Sequence, residues 1–251
     1  GYKRVQVEPH LSVTAACSAE WVPIRPKTDP AFMFALIHVL LIEHGERKLD
    51  VPFLRDRTSS PYLVGPDGLY LRDPDSRKPL VWDENLARAV PFDSTNVRPA
   101  LSGRFTVNGA VSVDADEACS GMDGVEGVTA FSMLVDHIRT YSPEWAAEIC
   151  DIPAATIRRI AGEYLEAASI GATTEIDGET LPYRPVAVAL GKSVNNGWGA
   201  YECCWARTTL AVLVGGKADR AQHAPHAGPD RRQFILEPGA GAHATGVDVP
   251  A

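Results

Sequence analysis

The stretch "WVPIRPKTDPAFMFALIHVLLIEHG", residues 21–45, decides the fold, because a loop rich in proline leads directly into a long apolar helix. Pro30 fits the first position of a helix, where its missing N–H costs nothing, and Asp29 before it is a good N-cap. Apolar residues then fall on nearly every side of the helix: Phe32, Met33, Leu36, Ile37, Val39, Leu40 and Leu41. Such a helix is expected to be buried against a sheet.

Strands and turns on either side of this helix predict an α/β fold. Residues 2–9, "YKRVQVEP", fit a short strand that ends in an acid and Pro9. Further along, "LPYRPVAVAL" is typical of a buried strand, "GKSVNNGWG" (residues 191–199) of a glycine-rich loop, and residues 199–214 of a helix. Strand, loop and helix repeat in the manner of Rossmann-like dinucleotide-binding layers.

Composition along the chain divides it into four segments. Residues 1–50 are predicted to be one α/β segment, and residues 127–215 a second. Between them, residues 51–126 form an insertion with β-hairpins, one turning at Gly65-Pro66-Asp67-Gly68 and one at Asn108-Gly109. Residues 216–251 are rich in Ala, Gly, Pro and His, with "FILEP" as their one apolar run, and are expected to be a disordered or atypical tail.

The totals exclude several classes of function. With 24 Lys+Arg against 32 Asp+Glu the net charge is −8, which argues against a non-specific nucleic-acid or anionic-membrane surface. No apolar run reaches the ~20 residues of a membrane span. Five cysteines without a C-x-x-C spacing predict neither a disulfide framework nor a complete zinc or iron–sulfur site. The chain starts without Met in what resembles a strand, so it is expected to be a piece of a longer polypeptide.

Two acids have both a structural and a functional interpretation. Glu8 follows a strand, where open α/β sheets bind ligands and where an acid can hold ribose hydroxyls; alternatively it is a solvated turn carboxylate. Asp29 is either only a helix cap or a carboxylate that accepts from two adjacent donors, as guanine offers at N1–H and N2–H₂ and adenine does not. Taken singly, the structural interpretation is the better one for each.

The glycine-rich loop carries the other candidate ligand groups. Lys192 and Asn195 lie among glycines ahead of a helix N-terminus, a combination that can cradle an anion. The spacing matches neither G-x-G-x-x-G nor a Walker A motif, so an ordinary turn between strand and helix is the alternative. His38, on the apolar helix, is interpreted as a core histidine whose hydrogen bonds are satisfied.

In combination these motifs resemble one family. "VQVEPHLSVTAACSAEWVPIRPKTDPAFMFALIHVLL" (residues 5–41) and the region from "YSPEWAAEICDIPAATIRRIAG" to residue 215 are similar, in order and spacing, to the large subunits of molybdopterin oxidoreductases of the dimethyl-sulfoxide-reductase superfamily. The nearest resemblance is to the branch of tetrathionate, arsenate and phenylacetyl-CoA oxidoreductase-like subunits. Two positions depart from the family pattern: Lys27 stands where Gly is usual, and His10 where Arg is usual.

The resemblance implies a cofactor and its contacts. It makes residues 1–50 the end of a dinucleotide-binding α/β domain and residues 127–215 a second α/β cofactor-binding segment. It places Asp29 at the guanine base of a molybdopterin guanine dinucleotide, Glu8 and Pro9 at the nucleoside, and Lys192 and Asn195 near a second dinucleotide. It also implies molybdenum, a [4Fe–4S] cluster in an N-terminal part that this sequence lacks, and two partners: the rest of the large subunit and an iron–sulfur electron-transfer subunit. It assigns no catalytic residue and no metal ligand to these residues, so the chain alone is expected to be inactive.

Two other functions remain open on the sequence. One is a guanine-nucleotide-binding α/β protein that works without a metal, in which Glu8 and Asp29 keep similar roles. The other is an inactive structural remnant, in which Asp29 is only a cap and residues 191–199 are only a turn. Neither substrate nor compartment follows from these residues.

Overall fold

The structure is a computed structural model that describes residues 2–111, 123–191, 194, 197, 199–216 and 234–238. The chain forms two compact units: unit 1 contains Gly1–Asp50 and Ile138–Ala251, and unit 2 contains Val51–His137. The boundary expected between residues 50 and 51 coincides with the first division, whereas the boundary expected after residue 126 falls inside unit 2. Of the two predicted α/β segments, residues 1–50 and 138–215 are thus parts of one unit, while residues 127–137 belong to the other.

A parallel four-stranded sheet forms the centre of unit 1. Its strands are β1 (Lys3–Val7), β2 (Glu20–Val22), β10 (Val186–Val188) and β11 (Phe234–Pro238). The order across the sheet is β10-β11-β1-β2. Mixed helices and strands agree with the predicted α/β class, while the Rossmann-like character stays a prediction.

Local signals mark the start of one helix of unit 1. Ser142 caps this helix, its Oγ accepting a hydrogen bond of 3.2 Å from the N–H of Trp145, and Pro143 occupies the first turn. The helix bounds are α1 (Val13–Ala16), α2 (Asp29–His38), a π-helical segment (Val39–His44), a 3₁₀ turn (Glu46–Lys48), α5 (Pro143–Cys150), α6 (Ala154–Ala167) and α7 (Ala200–Leu213). A small antiparallel hairpin pairs β8 (Thr173–Ile176) with β9 (Glu179–Pro182).

Helix α2 is buried on nearly all sides, as predicted. Residues Phe32, Met33 and Ile37 are completely inaccessible. The N-cap prediction is wrong, since Thr28 is the N-cap and Asp29 is the first helical residue. The reason is the backbone before it: Lys27 adopts a φ of +68°, and the carbonyl of Thr28 already accepts the first helical hydrogen bonds.

Unit 2 contains a three-stranded and a two-stranded antiparallel sheet. Strands β3 (Leu63–Val64), β7 (Val125–Thr129) and β6 (Arg104–Val107) form the first sheet in that order, and β4 (Leu80–Asp83) pairs with β5 (Arg88–Pro91). Its helices are α3 (Val51–Arg57) and α4 (Ala130–Ile138). Its core contains Leu63, Leu71, Leu80, Val107 and Ala110.

One of the two hairpin turns predicted in unit 2 is present. The N–H of Gly65 donates to the carbonyl of Leu69 at 2.8 Å, which closes the first turn. The second prediction is wrong, because the strand before Asn108 pairs with β7, while Val111 bridges to Arg72. Partners distant in sequence therefore replace the local hairpin.

Two further predictions need correction in unit 1. The expected long strand at residues 181–190 is split into β9 and β10, since Tyr183 to Pro185 leave the sheet. The tail expected to be disordered contains β11 at residues 234–238, where a β-forming apolar run hydrogen-bonds between two parallel strands. Residues 217–233 and 239–251 lie outside the described residues.

Candidate functional site

The carboxyl edge of the parallel sheet gathers the predicted binding residues. Glu8 and Pro9 follow β1, the loop to Asp29 follows β2, and residues 191–199 follow β10. Because all four strands run in one direction, these connections leave the sheet at the same edge. This is the edge at which open α/β sheets bind ligands.

The backbone of Glu8 and one of its two carboxylate oxygens have hydrogen-bond partners. Its N–H donates to the carbonyl of Val22 at 3.2 Å, and its carbonyl accepts from Trp21 Nε1 at 3.0 Å. The side chain is completely buried; Oε1 accepts from both the N–H and the Oγ of Ser12. Oε2 is buried without a hydrogen-bond partner among the described residues. Pro9, next along the chain, is exposed.

Asp29 presents a second carboxylate oxygen of the same kind. The residue is 9% exposed, and its Oδ1 is buried with no hydrogen-bond partner in the described part of the chain. Burial raises the pKa of this carboxyl, and a hydrogen bond from its own backbone N–H opposes that rise only in part. Burial and then the charge of Asp29 raise the pKa of the Cys203 thiol to about 12, so that thiol stays neutral beside the carboxylate.

The N-terminus of α7 packs against the N-terminus of α2. Gly199, the N-cap of α7, has a φ of +76°, and a Cβ built on it would lie 2.7 Å from Pro30 Cγ. Glycine is therefore required here both by the backbone and by the close approach of the helices. Helix N-termini carry partial positive charge, so two of them beside Asp29 favour an anionic ligand group.

The glycine-rich loop is described only in part. Lys192 and Asn195, both predicted binding residues, lie outside the described residues. Between the described residues of this loop, the N–H of Val194 donates to Gly191 O at 3.1 Å and that of Gly197 donates to Val194 O at 3.3 Å. The predicted anion cradle remains a prediction.

Sequence reasoning missed Gln6, in the middle of β1. Its side chain is completely buried, and neither its amide oxygen nor its amide nitrogen has a hydrogen-bond partner among the residues that the structure describes. The signal was present as a polar residue between Val5 and Val7 in a strand expected to be buried. Glu8 directly follows β1 and continues its pairing with β2 through the N–H bond to Val22, so strand alternation predicts that Gln6 and Glu8 share one face.

Three further expectations concern the described residues: the core histidine, metal binding and membrane insertion. His38 Nδ1 lies 3.0 Å from the carbonyl oxygen of Ile138, which agrees with a satisfied core histidine. Within residues 2–111, 123–191 and the shorter described ranges, no group of three His, Cys, Asp or Glu side chains could hold a metal ion. Nor does any helix in those ranges have the length and apolar character to cross a bilayer.

Lys27 holds the strained position in the loop that carries Asp29. It is exposed and has a φ of +68°, a left-handed conformation that costs a residue with a Cβ about 1–2 kcal/mol. We expect Lys27→Gly to raise the free energy of unfolding by about 0.5–1 kcal/mol, after the entropy of glycine in the unfolded chain is subtracted. Urea denaturation measures this change in the free energy of unfolding. Lys27→Ala is the control, since it keeps the strain, and an equal gain in both variants would contradict the prediction.

Comparison with known proteins finds three related subunits. No family model matches the chain. The A subunit of the sulfite dehydrogenase of Allochromatium vinosum is 31% identical over 177 residues, covering 65% of this chain and 16% of that protein. A protein of Halobacterium salinarum, named provisionally as the catalytic A subunit of a dimethyl sulfoxide reductase, is 29% identical over 161 residues, 64% of this chain and 18% of its own. The alpha subunit of the perchlorate reductase of Dechloromonas aromatica is 25% identical over 207 residues, which cover 66% of this chain and 21% of that protein.

These three relatives agree with the resemblance of the chain to the molybdopterin oxidoreductases of the dimethyl-sulfoxide-reductase superfamily. The chain aligns with part of each of these subunits. It spans between 16% and 21% of the length of these relatives.

Proposed function

We propose that this chain is the cofactor-binding part of a molybdenum oxidoreductase and holds the guanosine end of a molybdopterin guanine dinucleotide. The observation that carries the proposal is Oδ1 of Asp29, which is buried at the carboxyl edge of the sheet with no hydrogen-bond partner among the described residues. An ionisable oxygen that is buried without a partner is costly, and a ligand that donates to it removes that cost. The residues present therefore suit the cofactor that the family implies.

Asp29 is the proposed reader of the guanine base. Guanine presents N1–H and N2–H₂ as adjacent donors, and both can be accepted by one carboxylate. A base that lacks these donors leaves the carboxylate buried and unpaired, which is the condition for strong discrimination. Adenine would be rejected on this basis.

Glu8, Pro9 and the glycine-rich loop are assigned to the rest of the dinucleotides. Oε2 of Glu8 is free of protein partners in the described chain and suits a nucleoside hydroxyl, with Pro9 beside it where the chain leaves the sheet. The paired N-termini of α2 and α7 suit a phosphate. Lys192 and Asn195 are proposed to lie near a second dinucleotide, as in a bis-molybdopterin guanine dinucleotide enzyme.

Molybdenum, when bound, supplies two-electron redox chemistry, with electrons passing to an iron–sulfur centre. The residues of this chain bind and orient the nucleotide ends and contribute electrostatics. The proposed partners are the remainder of the large subunit, which would hold a [4Fe–4S] cluster, and an iron–sulfur electron-transfer subunit. Placement in the branch of tetrathionate, arsenate and phenylacetyl-CoA oxidoreductase-like subunits is also a proposal.

Asp29→Asn tests the base-reading role. We expect the chain to bind guanosine monophosphate more tightly than adenosine monophosphate, and the variant to lose about 10–100-fold in affinity for the guanine nucleotide, about 1.4–2.7 kcal/mol. Since the ligand donates to the ionised carboxylate, the wild-type affinity should fall as the pH decreases through the raised pKa of Asp29. The variant should lack that pH dependence. Isothermal titration calorimetry at several pH values measures both effects.

In the absence of nucleotide, Asp29→Asn should increase the stability of the chain, although it lowers the affinity for nucleotide. The folded-state pKa of Asp29 is raised, so its contribution to stability is present below the unfolded pKa and is lost as the pH rises through the folded value. Asp29→Asn is therefore expected to be more stable than wild type at pH 7. The exposed Asp177→Asn is the matched control and should change neither property. If Asp29→Asn binds guanosine monophosphate as tightly as wild type, Asp29 does not recognise the guanine base.

The native product separates the enzyme from a metal-free nucleotide binder. Molybdenum would be measured by elemental analysis, and guanine nucleotide after release by acid hydrolysis. About two guanine nucleotides per molybdenum support a bis-dinucleotide enzyme. Guanine nucleotide without molybdenum favours the stand-alone binder, and absence of both favours the structural remnant.

A further inference from the structure

Gln6 is placed where a polar side chain is hardest to accommodate. It lies inside β1, which hydrogen-bonds to β11 on one side and β2 on the other, with Gln6 opposite Glu237 and Trp21. The side chain has no accessible surface. Neither amide atom has a hydrogen-bond partner among the described residues. Buried amides in folded proteins are nearly always hydrogen-bonded, so this one requires a partner.

The same face of β1 carries a second unpartnered group. Successive side chains point to opposite faces, so Val5 and Val7 share one face while Gln6 and Glu8 share the other. Their Cα atoms are about 6.5 Å apart, two residues along the strand. Oε2 of Glu8 is also buried without a partner in the described chain, although Oε1 is satisfied by Ser12. This face therefore offers an amide donor, an amide acceptor and a carboxylate acceptor together.

The chemistry of these groups selects a kind of ligand. Glu8 as a carboxylate only accepts, so its partner must donate. Gln6 both donates and accepts, so a phosphate, which at neutral pH mostly accepts, would satisfy only its NH₂ group. Two neighbouring hydroxyls satisfy both residues, since each hydroxyl donates one hydrogen bond and accepts others. A ribose diol has that arrangement.

We propose that Gln6 and Glu8 together bind the 2′ and 3′ hydroxyls of the nucleoside ribose. This inference rests on the proposed function, because it places the nucleoside at the carboxyl edge of the sheet. The inference adds Gln6 to the proposed site. It also predicts that the site distinguishes ribose from deoxyribose through Gln6. Recognition of the base by Asp29 is a separate property of the same site.

The test uses Gln6→Met, which keeps the length of the side chain and removes its hydrogen bonds. Calorimetric titration of the 251-residue chain would compare guanosine monophosphate with 2′-deoxy- and 2′,3′-dideoxyguanosine monophosphate. We expect wild type to prefer the ribonucleotide over the dideoxynucleotide by about 10-fold or more, and Gln6→Met to lose about 5–10-fold of that preference. Preference for guanosine over adenosine monophosphate should persist in the variant.

A structural role alone predicts a different outcome. If Gln6 served only the core, Gln6→Met would leave the ribose preference intact, and that result overturns the inference while the proposed function stands. If the wild-type chain shows no preference for guanine nucleotides, the proposed function fails and the inference fails with it. Should Gln6→Met not fold, Gln6→Asn keeps the amide but shortens its reach. It is expected to lose the ribose preference as well, and retention there would also overturn the inference.

Discussion

Arg184→Met is expected to lower the free energy of unfolding by about 3–5 kcal/mol, the usual cost of removing one partner from a buried ion pair. The guanidinium and Asp50 carboxylate of unit 1 are nearly inaccessible, with 6% and 9% of their side chains exposed. Arg184 donates to Asp50 Oδ2 (3.1 Å from Nε, 2.6 Å from Nη2) and to carbonyl oxygens of Val214 (3.0 Å), Ser169 (3.3 Å), Ala172 (3.1 Å) and Tyr183 (2.8 Å). Methionine satisfies none of these acceptors. Thermal and urea unfolding measure the loss.

Arg158→Met is the matched control for this prediction. Arg158 also binds two acids, Glu43 and Glu144, but its side chain is 38% exposed. Exposed ion pairs contribute less than about 1 kcal/mol, so the control should be nearly neutral. Adding Asp50→Leu to Arg184→Met should recover part of the lost stability, because the buried charge is then gone. Equal losses in Arg184→Met and Arg158→Met would contradict the argument.

Gly215→Ala is expected to destabilise the chain by about 3 kcal/mol or more, through backbone strain and overpacking together. Gly215 follows α7 with a φ of +72°, and a Cβ there would lie 2.1 Å from Asp50 Oδ2. No side chain at this position can avoid the carboxylate unless the carboxylate leaves Arg184. The substitution therefore disturbs the same ion pair from the opposite side. Urea denaturation with the variant and wild type in parallel measures it.

Gly178→Ala is the control that separates backbone strain from overpacking. Gly178 has a φ of +80° in the turn between β8 and β9, but a Cβ there meets nothing within 4 Å. It should lose only the backbone term, about 1 kcal/mol. If Gly215→Ala cost no more than Gly178→Ala, the close approach to Asp50 would have no energetic weight.

Local patterns were sufficient for helix α2 and for the sheet edge at which the candidate residues lie. The apolar run at residues 31–41 has the length and composition of a buried helix, and the structure buries it. Glu8 and Asp29 were identifiable because each stands where a predicted strand or loop ends. The hairpin β8–β9 carried a signal that was overlooked: Asp177-Gly178 is a dipeptide typical of two-residue turns.

Features that depend on distant partners were not predictable. The strand at residues 234–238 forms between β10 and β1, and nothing near it in sequence indicates those neighbours. Val111 bridges to Arg72 in place of a local partner for the same reason. Within the part of the chain that the structure describes, the lack of a hydrogen-bond partner at Gln6 is likewise a property of the packed sheet. The N-cap was missed because it depends on a left-handed residue, Lys27, that sequence preference disfavours.

The strand order of unit 1 has a consequence for folding. Lys3 pairs with Phe234, so the chain must emerge from the ribosome as far as residue 234 before the edge of β1 that faces β11 can be filled. Unit 2 is continuous in sequence and can fold in the meantime. Non-local pairing of this kind slows folding and exposes unpaired edges to aggregation. We therefore expect nascent chains that end before residue 234 to depend on chaperones, while a separately expressed unit 2 is less dependent on them.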